Sequence, residues 1–389
     1  MQLFCGRVVR VLSQSPVVKT LTVRRMSSKK PVLCEIICDK GVITLNRPER
    51  LNSMNDEMVE IIGDTLAEWK DKVSMVIIKG EGRAFCAGGD VVGLTKNGVD
   101  RCHEQTNFFK KEYRMNYLVG SFSAPYVALI DGIVMGGGVG ASVHGPVRIA
   151  TEKTLFAMPE TAIGLFPDVG VSHVLARMPH HLGFYLGLTG HRLKGVDVVK
   201  SGIATHFIDS QHIPQLYDGL LTLKDPATNL TTFLNSKTKN IASETFVLEP
   251  HLKLIDQCFS APTVEEILER LESDSSAFAV QALESLKKMS PISMKITRKQ
   301  IEMYKTKSLQ ECLLIDNRLA RSAVEATVSK DFYEGVRAVL IDKDQNPQWD
   351  PPTLAAASNA MVEKAFSKLP PNEEEEVKAM LEIVDGSRL

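Results

Sequence analysis

Apolar and polar positions switch between two periods along the first half of the chain. Short apolar runs within residues 34–46 flank Asp39-Lys40-Gly41, the pattern of two strands joined by a hairpin turn. Residues 55–71 change to three- and four-residue spacing through Met58, Ile61, Ile62, Leu66 and Trp69, which predicts an amphipathic helix. A buried strand is expected over 74–79, ended by Gly80-Glu81-Gly82. Further on the pattern predicts a helix over 103–118, a strand over 126–130, a short helix over 137–144 and a strand over 147–151. The front half therefore repeats strand-strand-helix units, unlike the regular β-α alternation of a doubly wound sheet. From about Gly183 the strands thin out, and residues 263–271, 278–289 and 308–322 read as helices. The expected class is α/β. Residues 31–200 would form the core with the site, 201–355 a mainly helical part of the same domain, and 356–389 a C-terminal tail.

Composition narrows the classes of function. The chain has 389 residues, 44% hydrophobic and 24% charged, with a formal net charge of −1, so no global nucleic-acid footprint is present. No apolar run approaches the roughly 18 residues of a membrane-spanning helix. The seven cysteines are odd in number and irregularly spaced, which in a chain this long reads as reduced thiols. Cys34-x-x-x-Cys38 lacks a second pair of metal ligands, and packing within a strand explains it better than zinc.

Residues 1–30 differ from the rest. Their ionisable groups are Arg7, Arg10, Lys19, Arg24, Arg25, Lys29 and Lys30, with no acid before Glu35 and with Ser13, Ser15, Thr20 and Thr22 interspersed. A basic, acid-free, hydroxyl-rich leader has the composition of a mitochondrial targeting segment, a disordered basic tail being the alternative. Ser387-Arg388-Leu389 also resembles a peroxisomal address, and Met26 offers an internal start that would drop the leader.

Three segments carry candidate chemistry. In G-R-A-F-C-A-G-G-D (residues 82–90), directly after a strand, small residues let backbone approach a ligand closely. In residues 125–142 a strand runs into Gly136-Gly137-Gly138, which opens a helix and leaves amide donors unpaired. One amide from each segment would make an oxyanion hole. Tight turns are the plain alternative for both, and Gly136-x-Gly138-x-x-Ala141 also nominally fits a dinucleotide fingerprint. Its mid-chain place after strand-strand-helix units argues against the fingerprint. The third segment, residues 156–170, holds Glu160 and Asp168, each after a proline, in an otherwise uncharged stretch. Carboxylates held rigidly in apolar surroundings have raised pKa values suited to acid/base or nucleophilic work; helix capping is the alternative for each.

Taken in order, these segments resemble the crotonase (enoyl-CoA hydratase/isomerase) superfamily, whose N-R-P-x-x-x-N signature is matched at Asn46–Asn52. The resemblance implies a spiral of strand-strand-helix units. It places Gly89 and Gly137 at the two oxyanion positions and Glu160 at the second catalytic glutamate of the hydratases. The first hydratase glutamate falls at Gly140, which argues against hydration of a double bond. Longer motifs at residues 135–145, 157–170, 188–195 and 331–349 are similar to a branch that hydrolyses short 3-hydroxyacyl-CoA thioesters. That branch implies substrate contacts from Glu112, Gly137, Glu160 and Asp168, with Asp168 taking the 3-hydroxyl. By itself Glu112, beside Lys110 and Lys111, reads as a charge on a solvated helix face. His144 and His173 lie near the motifs in helix-end or packing roles. Glu49 stands where the signature commonly has lysine, so Arg50 or a distal Lys295 is expected to meet the CoA phosphates. An acyl-CoA is the expected partner, with no cofactor, metal, nucleic acid or membrane; homo-oligomerisation is left open. The rival readings are an enoyl-CoA hydratase/isomerase with Glu160 alone and a non-catalytic protein associated with the mitochondrial ribosome.

Overall fold

In the computed structural model, residues 30–382 are described. The basic leader and the Ser387-Arg388-Leu389 terminus lie outside the described residues.

The chain opens with the hairpin Val32–Ile37 and Lys40–Leu45. Its turn falls on Cys38 and Asp39, both at positive φ (48° and 70°), one residue earlier than the sequence suggests. Gly41 is paired within the second strand, where the ring of Trp69 packs against it. Cys38 is consequently exposed in the turn and shares no strand face with Cys34.

Two sheets follow from the way each unit divides its strands. The larger has the order Val32–Ile37, Lys40–Leu45, Met75–Gly80, Tyr126–Ile130, Val147–Ala150, His206–Phe207, antiparallel in the first pair and parallel in the others. The smaller has the order Ala84–Cys86, Ile133–Met135, Leu155–Ala157, Leu193–Lys194, and its first three strands run parallel. Met75–Gly80, Tyr126–Ile130 and Val147–Ala150 each lie in the large sheet and are followed by a short strand of the small one. This is the strand-strand-helix repeat of the crotonase fold.

Helix Asp56–Trp69 is capped by Asn55, whose side chain accepts the Met58 N–H, and it buries Met58, Ile62, Leu66 and Trp69. It packs on helix Cys102–Ser121. The later helices, among them Pro291–Tyr304 and Leu309–Val324, close over the core; a Ser308/Glu311 capping box starts the second. Residues 356–382, set apart above as part of a tail, carry two packed helices, Asn359–Ala365 and Pro371–Glu382. Val362, Ala365, Val377 and Leu381 are buried there. A run of glutamates at 373–376 disguises this, because one of them, Glu374, turns inward to pair with Arg318.

Candidate active site

The small sheet explains why three distant segments meet. Ala84–Cys86, Ile133–Met135 and Leu155–Ala157 are parallel neighbours, so the residues after each leave by the same edge. Past those strand ends come Ala87-Gly88-Gly89, Gly136-Gly137 and, after the buried Met158, Pro159-Glu160. Ala87, Gly88, Gly89, Gly136, Gly137, Pro159 and Glu160 line a cleft of 910 Å³ together with Glu112 and Asp168. The carboxyl ends of parallel strands are the usual place for a ligand in such sheets. A fourth wall comes from the C-terminal motif. Helix Asp331–Val336 packs on the turn Glu160–Ile163, and the π-helical turn Arg337–Ile341 then brings Val339, Leu340 and nearby Lys343 to the cleft.

Close approach requires glycine at position 137. A β-carbon there would stand 2.3 Å from Glu112 Oε1 and 3.4 Å from the Gly89 nitrogen. Gly137 opens helix Gly137–Val143, so its amide has no partner within the helix. With only seven residues, that helix contributes through its individual amides more than through a macrodipole. Gly137 and the Gly89 nitrogen thus lie close together on the cleft wall beside Glu112, and two neighbouring amides are what a two-donor pocket for an oxyanion requires.

Glu112, Glu160 and Asp168 are 2%, 5% and 4% exposed, which makes them a buried carboxylate triad with no cation among its hydrogen-bond partners in the described residues. Among the described residues, Glu112 Oε1 and Glu160 Oε2 have no hydrogen-bond partner. Burial pushes Glu160 well above the ordinary carboxylate range, and the charge of Asp168 pushes it further. Glu112 is raised first by burial and then by the charges of Asp168 and Glu160. Burial raises Asp168 too, but the Tyr113 hydroxyl, donating to its Oδ2 at 2.9 Å, favours the ionised form. Burial is thus the first cause that holds each of the three carboxyls above its ordinary range.

The position of Glu112 corrects the solvated-face assignment. Helix Cys102–Ser121 buries Gln105, Phe108, Phe109, Glu112, Tyr113 and Asn116, while Lys111 points outward to Asp56 and Glu60. The clue lay in the spacing, since Glu112 follows Phe108 by four residues and Phe109 by three. Lys295 is also corrected: it pairs with Glu265 at 2.6 Å, away from the cleft. The cations that do line the cleft are Arg50, Arg83, Arg192 and Lys343. Asn52 of the N-R-P signature is wholly buried and donates to the Glu81 and Ala84 carbonyls, so it braces the loop behind the site. Tyr113 was missed because a tyrosine between Phe109 and Met115 looks like ordinary core.

The fold and this cleft define a crotonase-type enzyme. The chain belongs to the enoyl-CoA hydratase/isomerase family, whose model matches residues 40–366. The mitochondrial 3-hydroxyisobutyryl-CoA hydrolase of Danio rerio is 50% identical over 353 residues, covering 88% of this chain and 92% of the relative. The protein of the same name in Homo sapiens is 47% identical over 356 residues, covering 89% and 92%. Among solved structures, a carnitinyl-CoA dehydratase from Mycobacterium thermoresistibile superposes with a TM-score of 0.81 at 33% identity, over 88% of this chain and 98% of that one. An enoyl-CoA hydratase from Rhodobacter sphaeroides 2.4.1 gives 0.77 at 35% identity, with the same shares.

Proposed function

We propose that this chain hydrolyses 3-hydroxyisobutyryl-CoA, and 3-hydroxypropionyl-CoA beside it, to the free hydroxy acid and CoA. The names of its relatives support that substrate and a mitochondrial place, and the family resemblance implies a step of valine catabolism. The observation that carries the reaction type is at Gly140. A β-carbon there would meet Asn116 Nδ2 at 2.5 Å and Val169 Cβ at 2.6 Å, so the position of the first hydratase glutamate has no space for a carboxylate.

In this proposal the thioester oxygen sits between the Gly89 and Gly137 amides, and losing one such donor costs about 3 kcal/mol in the transition state. In its carboxylate form Glu160 attacks the carbonyl and expels the CoA thiolate, and water then cleaves the mixed anhydride to the hydroxy acid and free Glu160; or Glu160 draws a proton from a water that attacks the carbonyl, the tetrahedral intermediate expels the CoA thiolate, and the thiolate takes that proton. Desolvation strengthens Glu160 as a base in either route. Asp168, oriented by Tyr113, accepts the substrate 3-hydroxyl, while Glu112 contacts the acyl group from the helix above Gly137. Arg50, Arg83, Arg192 and Lys343 offer positive charge for the CoA phosphates.

One observation favours a second reading. Glu112 brings another carboxyl into the cleft from a different helix, and two glutamates holding one water is the requirement for adding water to an enoyl-CoA. Purified protein incubated with 3-hydroxyisobutyryl-CoA, 3-hydroxypropionyl-CoA and crotonyl-CoA separates the two. Free thiol from the first two, with negligible hydration of crotonyl-CoA, is expected. Robust hydration of crotonyl-CoA without thiol release would replace hydrolysis with the second reading.

A further inference from the structure

Asp168 stands on a turn whose backbone is strained. Val169, directly after it, has φ 52°, a left-handed conformation that a β-branched residue adopts only under constraint, and Gly170 follows at φ 71°. Such a turn persists where its surroundings over-determine it. From one side His144 Nε2 meets the Val169 carbonyl at 2.7 Å; burial holds the imidazole down to about 4, so the ring is neutral and donates this bond. From the other side the Gly170 N–H donates to Asp316 Oδ2 at 2.8 Å.

Asp316 is fully buried, on helix Leu309–Val324, and does not line the cleft. Its Oδ1 accepts from Gln300 Nε2 at 2.8 Å and from the Tyr304 hydroxyl at 2.5 Å. Gln300 Nε2 also donates to the Pro167 carbonyl at 3.1 Å. The residues on both sides of Asp168 are thereby tied to one carboxylate brought in from the C-terminal helices. Among the described residues no cation is a partner of Asp316, and a buried carboxylate of this kind is a poor way to gain stability alone. It does make a strong, directional acceptor for a backbone N–H. Burial pushes its pKa up to about 7, and the charge of Asp168 adds to that, so the two groups sense each other.

We propose that Asp316 is a positioning residue, which clamps the strained Val169-Gly170 turn and so aims Asp168 into the cleft. The 3-hydroxyl as the target of Asp168 rests on the function proposed above; the clamp acting through Asp168 does not.

The test is a double-mutant cycle of Asp316→Asn and Asp168→Asn, with kcat/KM measured on 3-hydroxyisobutyryl-CoA and isobutyryl-CoA. Asp316→Asn should lower kcat/KM on the 3-hydroxy thioester about tenfold, and should lower it less on isobutyryl-CoA. In the Asp168→Asn background its effect should vanish, since the group it aims is already disabled. Adding Val169→Gly, which relieves the strain, should restore part of the discrimination lost in Asp316→Asn. Tyr304→Phe removes one bond to Asp316 and should shift discrimination the same way by a smaller factor, which covers the case of Asp316→Asn failing to fold. Equal losses on both substrates, or an undiminished Asp316→Asn effect in the Asp168→Asn background, would overturn the proposal. Should Asp168→Asn leave discrimination intact, the 3-hydroxyl assignment fails, and the cycle still decides whether Asp316 acts through Asp168.

Discussion

Among the described residues Glu112 has two carboxylates for neighbours and no cation partner, and this sets how the site responds to pH. Its folded-state pKa lies above its unfolded value, so the folded state holds the proton more tightly. The stability linked to that proton is fully present below the unfolded pKa and is lost as pH rises through the folded one. Glu112→Gln keeps the shape without the charge. The variant should melt at nearly the wild-type temperature around pH 5 and about 2 °C or more above it at pH 8. Melting curves across that range check this, and a pH-independent difference between the two proteins would contradict the assignment. Glu160 and Asp168 announced themselves in the sequence because an uncharged, proline-stiffened stretch leaves a carboxylate little alternative role. Glu112 was disguised by the two lysines before it, although its spacing from Phe108 and Phe109 placed it on the inner face. Asp316 was out of reach, since nothing local marks one polar residue in a helix as the partner of a turn 146 positions away.

At the level of elements, the site is the common edge of three short parallel strands, and its precision comes from backbone packing. Gly137→Ala tests this. The added methyl would enter the space of Glu112 Oε1 and crowd the Gly89 amide while the helix itself tolerates alanine. Thioester hydrolysis should fall by about a hundredfold or more with the melting temperature little changed, as expected when oxyanion geometry alone is disturbed. Comparable loss of activity and of fold would place the glycine in the core rather than the site. The strand-strand-helix order and the helices at 55–71 and 103–118 were legible because their apolar periods are long and clean. The two helices of residues 356–382 were not, since a glutamate run dominates one of them, which Pro370 precedes and Pro371 opens. Likewise the hairpin turn was displaced by one residue because Gly41, a natural turn former, serves instead as the floor for Trp69.

Across the whole molecule, charge is nearly balanced at −1, yet Arg50, Arg83, Arg192 and Lys343 gather at one cleft. A polyanionic CoA thioester would feel that local field and not the net charge. Raising ionic strength from roughly 0.02 to 0.5 M shortens the Debye length from about 20 Å to about 4 Å, so KM for the thioester should rise several-fold with kcat nearly constant. Salt-independent KM would mean that these cations do not meet the phosphates. In the same cleft, the proposed function has Glu160 drive hydrolysis of a thioester held by the Gly89 and Gly137 amides. Its most direct test is the rate of free-thiol release from 3-hydroxyisobutyryl-CoA by the wild-type protein and by Glu160→Gln, with substrate binding measured in parallel. The wild type should release CoA steadily, and Glu160→Gln about a thousandfold or more slowly, with binding retained. Release of CoA by Glu160→Gln at a rate near wild type, or none by the wild type, would contradict it.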